Sequence, residues 1–193
     1  MESSEIMAEY GIYHTPNYVY FKGDTTLDVD GESINLRTLN QGVGISGEDL
    51  TKVAFSDLSR IKRVITIENL TTFFRWNEPK SLIIYLGGYH NSIRRTLLKK
   101  VYNKLPGIAY YHFGDIDAGG FSILKDLRNK TGIPFKMYRM DIETLKCYEK
   151  YGKALTESDI IRLEEIEKDE ELQEVVSYML LHNVKLEQEC VKQ

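Results

Sequence analysis

The stretch VITIENLTTFFRW, residues 64–76, sets an apolar, β-branched run directly before a short helical pattern. The same arrangement recurs twice downstream, and a fourth apolar run follows. The later segments are SLIIYLGG (81–88) with NSIRRTLLKKVYNKL (91–105), IAYYHFGDID (108–117) with GGFSILKDLRNKTG (119–132), and PFKMYRM (134–140). Continuous apolar strands alternating with amphipathic helices predict a βαβαβαβ series. We therefore expect an α/β fold: a Rossmann-like, three-layer α/β/α domain around a mainly parallel four-stranded sheet.

The two flanks of this series have different patterns. Residues 1–60 contain NYVYFKGDTTLDVDGESINL, which predicts a small β-meander, and then a helix start at Ser46. After Asp141 the chain becomes helical and acidic, which predicts a C-terminal helical extension. We divide the chain into a lead-in over residues 1–60 and a catalytic domain with its extension over residues 61–193.

Composition limits the class of protein. Of the 193 residues, 42% are apolar and 28% are charged, as in ordinary globular proteins. No apolar run approaches membrane-spanning length and the two cysteines lack metal-ligand spacing, so we expect a cytoplasmic protein without a membrane partner. The net charge is −4, yet the segment 79–114 carries six basic residues and no acidic one. A local anion-binding face is therefore compatible with the sequence.

Two aspartates follow the third predicted strand. In an extended backbone Asp115 and Asp117 point to the same side, where their repulsion would be relieved by a divalent cation. Gly119 and Gly120 would then let a substrate backbone approach and leave helix amides free for a phosphate. The alternative is structural: a turn at Gly114, with Asp117 capping a helix that begins near Phe121.

Glu68 ends the first apolar strand, and right-handed crossovers bring the carboxyl ends of parallel strands to one edge. A charged residue at the end of a buried run is costly unless it is paired or metal-bound. A helix cap or a salt bridge would also satisfy Glu68. Together with Asp115 and Asp117 it makes a candidate Mg²⁺ site, because this ion prefers oxygen ligands.

This arrangement resembles the Toprim domain of topoisomerases, primases and OLD-type nucleases. Five sequence segments further resemble the C-terminal domain of JetD, the nuclease subunit of Wadjet plasmid-defence complexes. They are ITIENLTTF, LIIYLGGYHN, YYHFGDIDAGGFSIL, YGKALTESD and LEQE. The resemblance implies that Glu68, Asp115 and Asp117 hold Mg²⁺, for which Mn²⁺ would substitute, and cut DNA phosphodiesters. It also implies plasmid DNA and a condensin-like SMC–kleisin complex as partners; a homodimer is left open.

The resemblance extends to further residues. Glu187 and Glu189 in LEQE match a family segment and would complete a second metal site, although a solvated acidic helix face is the alternative. Residues that follow the second strand are candidates for binding phosphate. These candidate DNA contacts are Gly88, His90, Asn91, Arg94 and Arg95, for which an ordinary solvated helix face is the alternative. For Asp141 we expect a helix N-cap, and for His90 and His112 satisfied strand-end positions.

Two other functions are compatible with parts of the sequence. A haloacid-dehalogenase-like phosphatase also uses a DxD, but it needs Thr or Val where this chain has Gly119. A Toprim-shaped docking module without catalysis is the third hypothesis. Related topoisomerases attack DNA with a tyrosine on a separate domain that residues 1–60 cannot supply. We therefore expect water as the nucleophile, and either the C-terminal part of a longer protein or a compact stand-alone relative.

Overall fold

The computed structural model describes residues 6–7, 9–11, 16–88 and 92–193. The strands are β1 (Tyr18–Gly23), β2 (Thr26–Val29), β3 (Glu32–Asn35), β4 (Val43–Ser46), β5 (Val53–Asp57), β6 (Arg63–Ile67), β7 (Ser81–Tyr85), β8 (Ala109–Phe113) and β9 (Lys136–Met137). The helices are α1 (Leu70–Arg75), α2 (Ser92–Lys104), α3 (Ala118–Thr131), α4 (Ile142–Tyr148), α5 (Glu157–Ile166) and α6 (Gln173–His182). Short 3₁₀ turns are Leu36–Thr38, Asp49–Thr51, Glu149–Tyr151 and Gln188–Cys190.

The main sheet has the strand order β4-β1-β7-β6-β8-β9. Strand β6 pairs in parallel with β7 and β8, and β8 pairs in parallel with β9, whereas β1 is antiparallel to both β4 and β7. The four predicted parallel strands are therefore contiguous in the sheet. Their order across the sheet is β7, β6, β8, β9, so the first strand of the series lies between the second and the third. Because β6 lies between β7 and β8, the carboxyl ends of the first and third strands are adjacent at one edge.

Side chains from the strands alternate between two hydrophobic clusters, one on each face. Val64 packs in the cluster that contains Leu98 of α2 and Leu127 of α3. Its neighbour Ile65 packs in the other, with Phe73 of α1. Burying an aliphatic side chain of this size contributes roughly 1.5–3 kcal/mol. The three-layer α/β/α prediction is thus confirmed.

The lead-in differs from the prediction at two points. Its strands do not form one meander, because β1 and β4 join the main sheet, which has six strands rather than four. The second point is the predicted helix at Ser46. Ser46 ends β4 and its hydroxyl accepts the amide of Asp49 at 3.2 Å, but only a 3₁₀ turn follows, not the predicted helix. Strand β5 comes next, because Val53 and Phe55 are buried while the residues between and after them are more exposed, a period of two. This strand joins β2 and β3 in a separate three-stranded sheet.

The lead-in and the parallel unit are joined by backbone and side-chain bonds. The β1–β7 pairing crosses the boundary near residue 60, and that division of the chain stays a prediction. On α2, the amine of Lys100 donates to the carbonyls of Leu50 at 3.1 Å and Val53 at 3.3 Å. Lys104 donates to the Phe55 carbonyl at 2.9 Å. Part of the basic helix face therefore binds the protein's own backbone.

The C-terminal extension is helical as far as His182 and then returns to the sheet. Thr156 and Asp159 form a capping box at the start of α5. After α6, Asn183 adopts a left-handed conformation and the chain becomes extended. Leu186 then forms an antiparallel bridge with Ile116, just after β8. No helix in the described part of the chain is long and apolar enough to cross a membrane.

Candidate metal centre

Glu68 lies where β6 gives way to α1. Its amide donates to the Phe113 carbonyl at 3.1 Å, which extends the β6–β8 pairing, and the next residue, Asn69, caps α1 by accepting the Thr72 amide at 3.0 Å. The Glu68 carboxylate is largely buried, and among the described residues its Oε2 has no hydrogen-bond partner. Burial, and then the charges of Asp115 and Asp117, raise the pKa of Glu68 to about 8.

Asp115 and Asp117 follow the end of β8, as predicted. Asp115 Oδ1 accepts the backbone amide of Gln188 at 2.6 Å. Burial raises the pKa of Asp115 to about 6; the bond from Gln188 acts in the opposite direction, and nearby Asp117 and Glu187 raise it further. Burial and neighbouring negative charges both disfavour the ionised form of Asp115, and a bound cation would stabilise that form.

Asp117 has the structural role that is the alternative to metal binding. It is the N-cap of α3, which begins at Ala118 rather than near Phe121, and its Oδ1 accepts the Gly120 amide at 2.7 Å. One carboxylate oxygen is therefore committed to the helix. Because a carboxylate has two oxygens with several lone pairs, capping by Oδ1 leaves Oδ2 able to bind a metal.

The C-terminal segment brings two more acids to the same edge. One carboxylate oxygen each from Asp115, Glu187 and Glu189 lies within 4.8 Å of the others; among the described residues this is the set with metal-ligand spacing. Glu68 and Asp117 do not belong to that set, although their charges act on it. Glu187 also pairs with Lys153 at 2.8 Å. The two glutamates lie on an extended segment and a 3₁₀ turn, so the alternative of a solvated α-helix face does not apply to them.

The space beside Gly114 and Gly120 is filled by neighbouring atoms of the same chain. A Cβ at Gly120 would lie 2.1 Å from the Asp115 carbonyl oxygen, and a Cβ at Gly114 would lie 2.7 Å from Glu68 Oε2. The Gly120 amide is already bonded to Asp117. The expectation that Gly119 and Gly120 leave space for a substrate backbone and a free amide is therefore wrong for Gly120.

Sequence reasoning missed the residues that anchor the C-terminal segment. Gln188 is 1% exposed and bonds to the ends of both β6 and β8. Arg75, in α1, donates to the carbonyls of Glu189 at 2.5 Å and Val191 at 2.8 Å. Asn69 donates its side-chain amide to the Glu189 carboxylate. The alternation in LEQE, with a neutral residue between two acids, was the available signal.

The candidate DNA contacts are only partly described. His90 and Asn91 lie outside the described residues. Gly88 has φ +69°, a left-handed turn after β7. Arg94 is half-buried: its guanidinium lies 5.4 Å from the Tyr85 ring centre, and burial lowers its pKa. Arg95 is half-buried as well.

Two predicted structural roles agree with the structure. His112 is fully buried, and its Nδ1 lies 3.0 Å from the Thr66 hydroxyl. Asp141 caps α4 by accepting the Thr144 amide at 2.8 Å.

The donor set fits a hard divalent cation. Its ligands would be carboxylate oxygens alone, from Glu68, Asp115, Asp117, Glu187 and Glu189, and Mg²⁺ and Mn²⁺ favour such oxygens over imidazole or thiolate. The buried Oε2 of Glu68 is a polar atom in need of a partner. The residues present thus suit the Mg²⁺ cofactor implied by the sequence.

Comparison with known proteins gives two matches. A family model described as "Wadjet protein JetD, C-terminal" matches residues 26–193. "Wadjet protein JetD" of Bacillus cereus (strain Q1) is 28% identical over 194 residues, covering 97% of this chain. The alignment covers 47% of that relative, so the chain spans about half of its length. The family match includes all four parallel strands and all five acids of the site.

Proposed function

The chain belongs to the family of JetD C-terminal domains, and on that premise we propose that it is a Mg²⁺-dependent endonuclease domain that hydrolyses DNA phosphodiesters. The observation that carries the proposal is the convergence of Glu68, Asp115, Asp117, Glu187 and Glu189 on one sheet edge. The charges of Asp117, Glu187 and Glu189 raise the pKa of Asp115. The charges of Asp115, Asp117 and Glu189 raise the pKa of Glu68. Such crowding has no benefit for folding, whereas it suits cation binding.

Each acid has a distinct part in this proposal. Asp115 and the two C-terminal glutamates, within 4.8 Å of one another, would bind the metal directly. Asp117 would contribute the oxygen that does not cap α3. Glu68 would either bind the metal as an anion or exchange a proton at its buried Oε2, donating it as a general acid or accepting it as a general base. When bound, Mg²⁺ would neutralise phosphate charge and stabilise the leaving oxygen.

Five carboxylates would supply enough ligands for two cations. One cation would lie nearer Glu68 and Asp117, and the other nearer Glu187 and Glu189. Asp115 would belong to both sets, because its charge is coupled to all four of these residues. Two-metal sites hold the attacking and the leaving oxygens of a phosphodiester together. Water would be the nucleophile.

The partners are proposed from the family. The matched relative is named a Wadjet protein, and we infer that this chain acts on plasmid DNA in a cytoplasmic, nucleoid-associated plasmid-defence system with an SMC–kleisin complex. Among the basic residues of segment 79–114, Lys100 and Lys104 bond to the lead-in, and Arg94 and Arg95 are the ones that support DNA contact near the site. Arg94 and Arg95 lie at the start of α2, which follows the β7 end of the same sheet.

Cleavage of supercoiled and linear plasmid DNA with Mg²⁺ or Mn²⁺ tests the proposal. Asp115→Asn keeps the size of the side chain but removes the central charge, so we expect a rate loss of about 100-fold or more. Glu164→Gln, an exposed acid on α5, is the matched control and should cleave as the wild type does. Equal cleavage by Asp115→Asn and Glu164→Gln would overturn the proposal.

A phosphomonoesterase assay and a DNA-binding assay, run beside the cleavage assay, separate the other two functions. A haloacid-dehalogenase-like phosphatase would release phosphate from a monoester through an aspartyl intermediate. A docking module without catalysis would bind DNA but cut neither substrate with either metal. The family match, the cluster of Asp115, Glu187 and Glu189, and its coupling to Glu68 and Asp117 favour the nuclease over both.

A further inference from the structure

Gln188 occupies a position where three parts of the site meet. Its side-chain Nε2 donates to the Phe113 carbonyl at the end of β8, at 2.6 Å. Its Oε1 accepts the Asn69 amide, just beyond β6, at 2.8 Å. Its own backbone amide donates to Asp115 Oδ1 at 2.6 Å. With 1% of its surface exposed, this residue ties the C-terminal segment to both strand ends.

The two side-chain bonds require an amide and fix its orientation. The Phe113 carbonyl can only accept, and the Asn69 backbone amide can only donate. Gln188 supplies one donor and one acceptor on the same planar group, and so satisfies both. A carboxylate would accept from Asn69 but offer no proton to Phe113, and a thioether would offer no proton and only a weak acceptor.

The contacts of Gln188 also set where its neighbours lie. Glu187 is extended, so its side chain and that of Gln188 are expected on opposite sides of the chain, and Glu189 follows within the 3₁₀ turn. Gln188 is buried against the sheet, while Glu187 is half-buried and Glu189 exposed. Their carboxylates reach Asp115 within 4.8 Å while Gln188 points into the protein.

We propose that Gln188 is a positioning residue for the metal site: its side-chain amide holds the C-terminal segment in the register that brings Glu187 and Glu189 to Asp115. This role rests on the proposed function. Repulsion among the carboxylates acts to drive the segment away, and the neutral amide opposes it without adding charge. Residues that orient metal ligands typically change metal affinity by about 10–100-fold when they are substituted.

Mn²⁺ titration of the whole 193-residue chain by calorimetry tests this role. Gln188→Met keeps the volume, removes the donor to Phe113 and leaves only a weak sulfur acceptor for Asn69, so the Mn²⁺ dissociation constant should rise by about 10–100-fold. Gln173→Met, at the exposed start of α6, is the matched control and should bind as the wild type does. A second variant, Gln188→Glu, keeps the shape and the bond from Asn69, but it replaces the donor to Phe113 with an acceptor and adds a negative charge. Its dissociation constant should rise as well.

Thermal unfolding in EDTA separates positioning from simple support of the fold. A lower melting temperature for Gln188→Met or Gln188→Glu with an unchanged Mn²⁺ dissociation constant would overturn the proposal. If Gln188→Met yields no folded protein, Gln188→Glu decides by the same criterion. Wild-type chain that binds no Mn²⁺ would refute the proposed function itself, a result distinct from tight binding by wild type and variants alike.

Discussion

Gly114 offers a way to displace the buried acid without changing any charged residue. A Cβ at this position would lie 2.7 Å from Glu68 Oε2 and 2.9 Å from His112 Nε2. Real Cβ atoms essentially never approach other atoms within 3.0 Å, so in Gly114→Ala both groups must move. The backbone at Gly114 is not left-handed, and the effect therefore comes from contact rather than from strain.

Stability and function should respond differently to this methyl group. Inserting a methylene into a packed site typically costs about 1–3 kcal/mol, and a cost within this range is expected here because the Glu68 side chain can rotate whereas the His112 ring is fully buried. Catalytic geometry is less tolerant: a misplacement of about 1 Å can cost about 100-fold in rate. For Gly114→Ala, where the carboxylate must shift by roughly half that distance, we expect about a 10-fold loss of cleavage.

The assay compares Gly114→Ala with Gly107→Ala. Gly107 is exposed and not left-handed, and a methyl group added there would have none of the described atoms within 4 Å. Plasmid cleavage, Mn²⁺ affinity and urea unfolding are measured for both variants. Cleavage and Mn²⁺ affinity should fall for Gly114→Ala alone. If Gly114→Ala cleaves DNA and binds Mn²⁺ as Gly107→Ala does, Glu68 has no part in the metal site and the reasoning is refuted.

Three further predictions use other charged groups. In EDTA, the free energy of unfolding should fall as pH rises between about 6 and 8, because Glu68 keeps its proton in the folded state up to a pKa of about 8, whereas the unfolded chain releases it near the ordinary value of 4.5. Glu68→Gln should remove on the order of 2 kcal/mol of that fall. The free energy of unfolding is measured by denaturant titration at each pH, and the same pH dependence in wild type and Glu68→Gln would contradict the prediction. Lys153→Met should tighten Mn²⁺ binding about 2–5-fold at low salt, since Glu187 loses a competing cation; unchanged or weaker affinity by calorimetry would contradict this. Lys100→Met should lose about 1 kcal/mol in urea unfolding through its two carbonyl bonds, whereas exposed Lys99→Met should change little; equal midpoints would refute the difference.

The parallel unit was predictable because its signals are local and strong. Apolar runs such as 64–67 and 81–86 are buried on both faces, so they need no alternation to be recognised as strands. Topology then places Glu68 beside the end of β8, since parallel strands share a carboxyl edge. The lead-in was harder: Ser46 caps only one 3₁₀ turn, and the period-two pattern of β5 is short.

The other half of the site could not be predicted from strand ends. Glu187 and Glu189 come from a segment that looks like a continuation of an acidic helix, and only the Ile116–Leu186 bridge reveals that it pairs with the chain after β8. The helix stops because Asn183 adopts the left-handed conformation, a local event with a weak signal. Pairing between residues 70 positions apart depends on tertiary packing, which neither propensity nor periodicity reports.

The positions of these acids suggest why neutral groups surround them. Five carboxylates at one edge repel one another, and Lys153 is a cation that pairs with one of them through an exposed bond. Backbone groups and amides hold three of the others: Gln188 bonds to Asp115, Gly120 to Asp117 and Asn69 to Glu189. Such bonds fix an anion in place without cancelling its charge, whereas a buried arginine would pair with it and compete with the metal. The edge is therefore ordered and still strongly negative, which is the state that a divalent cation binds best.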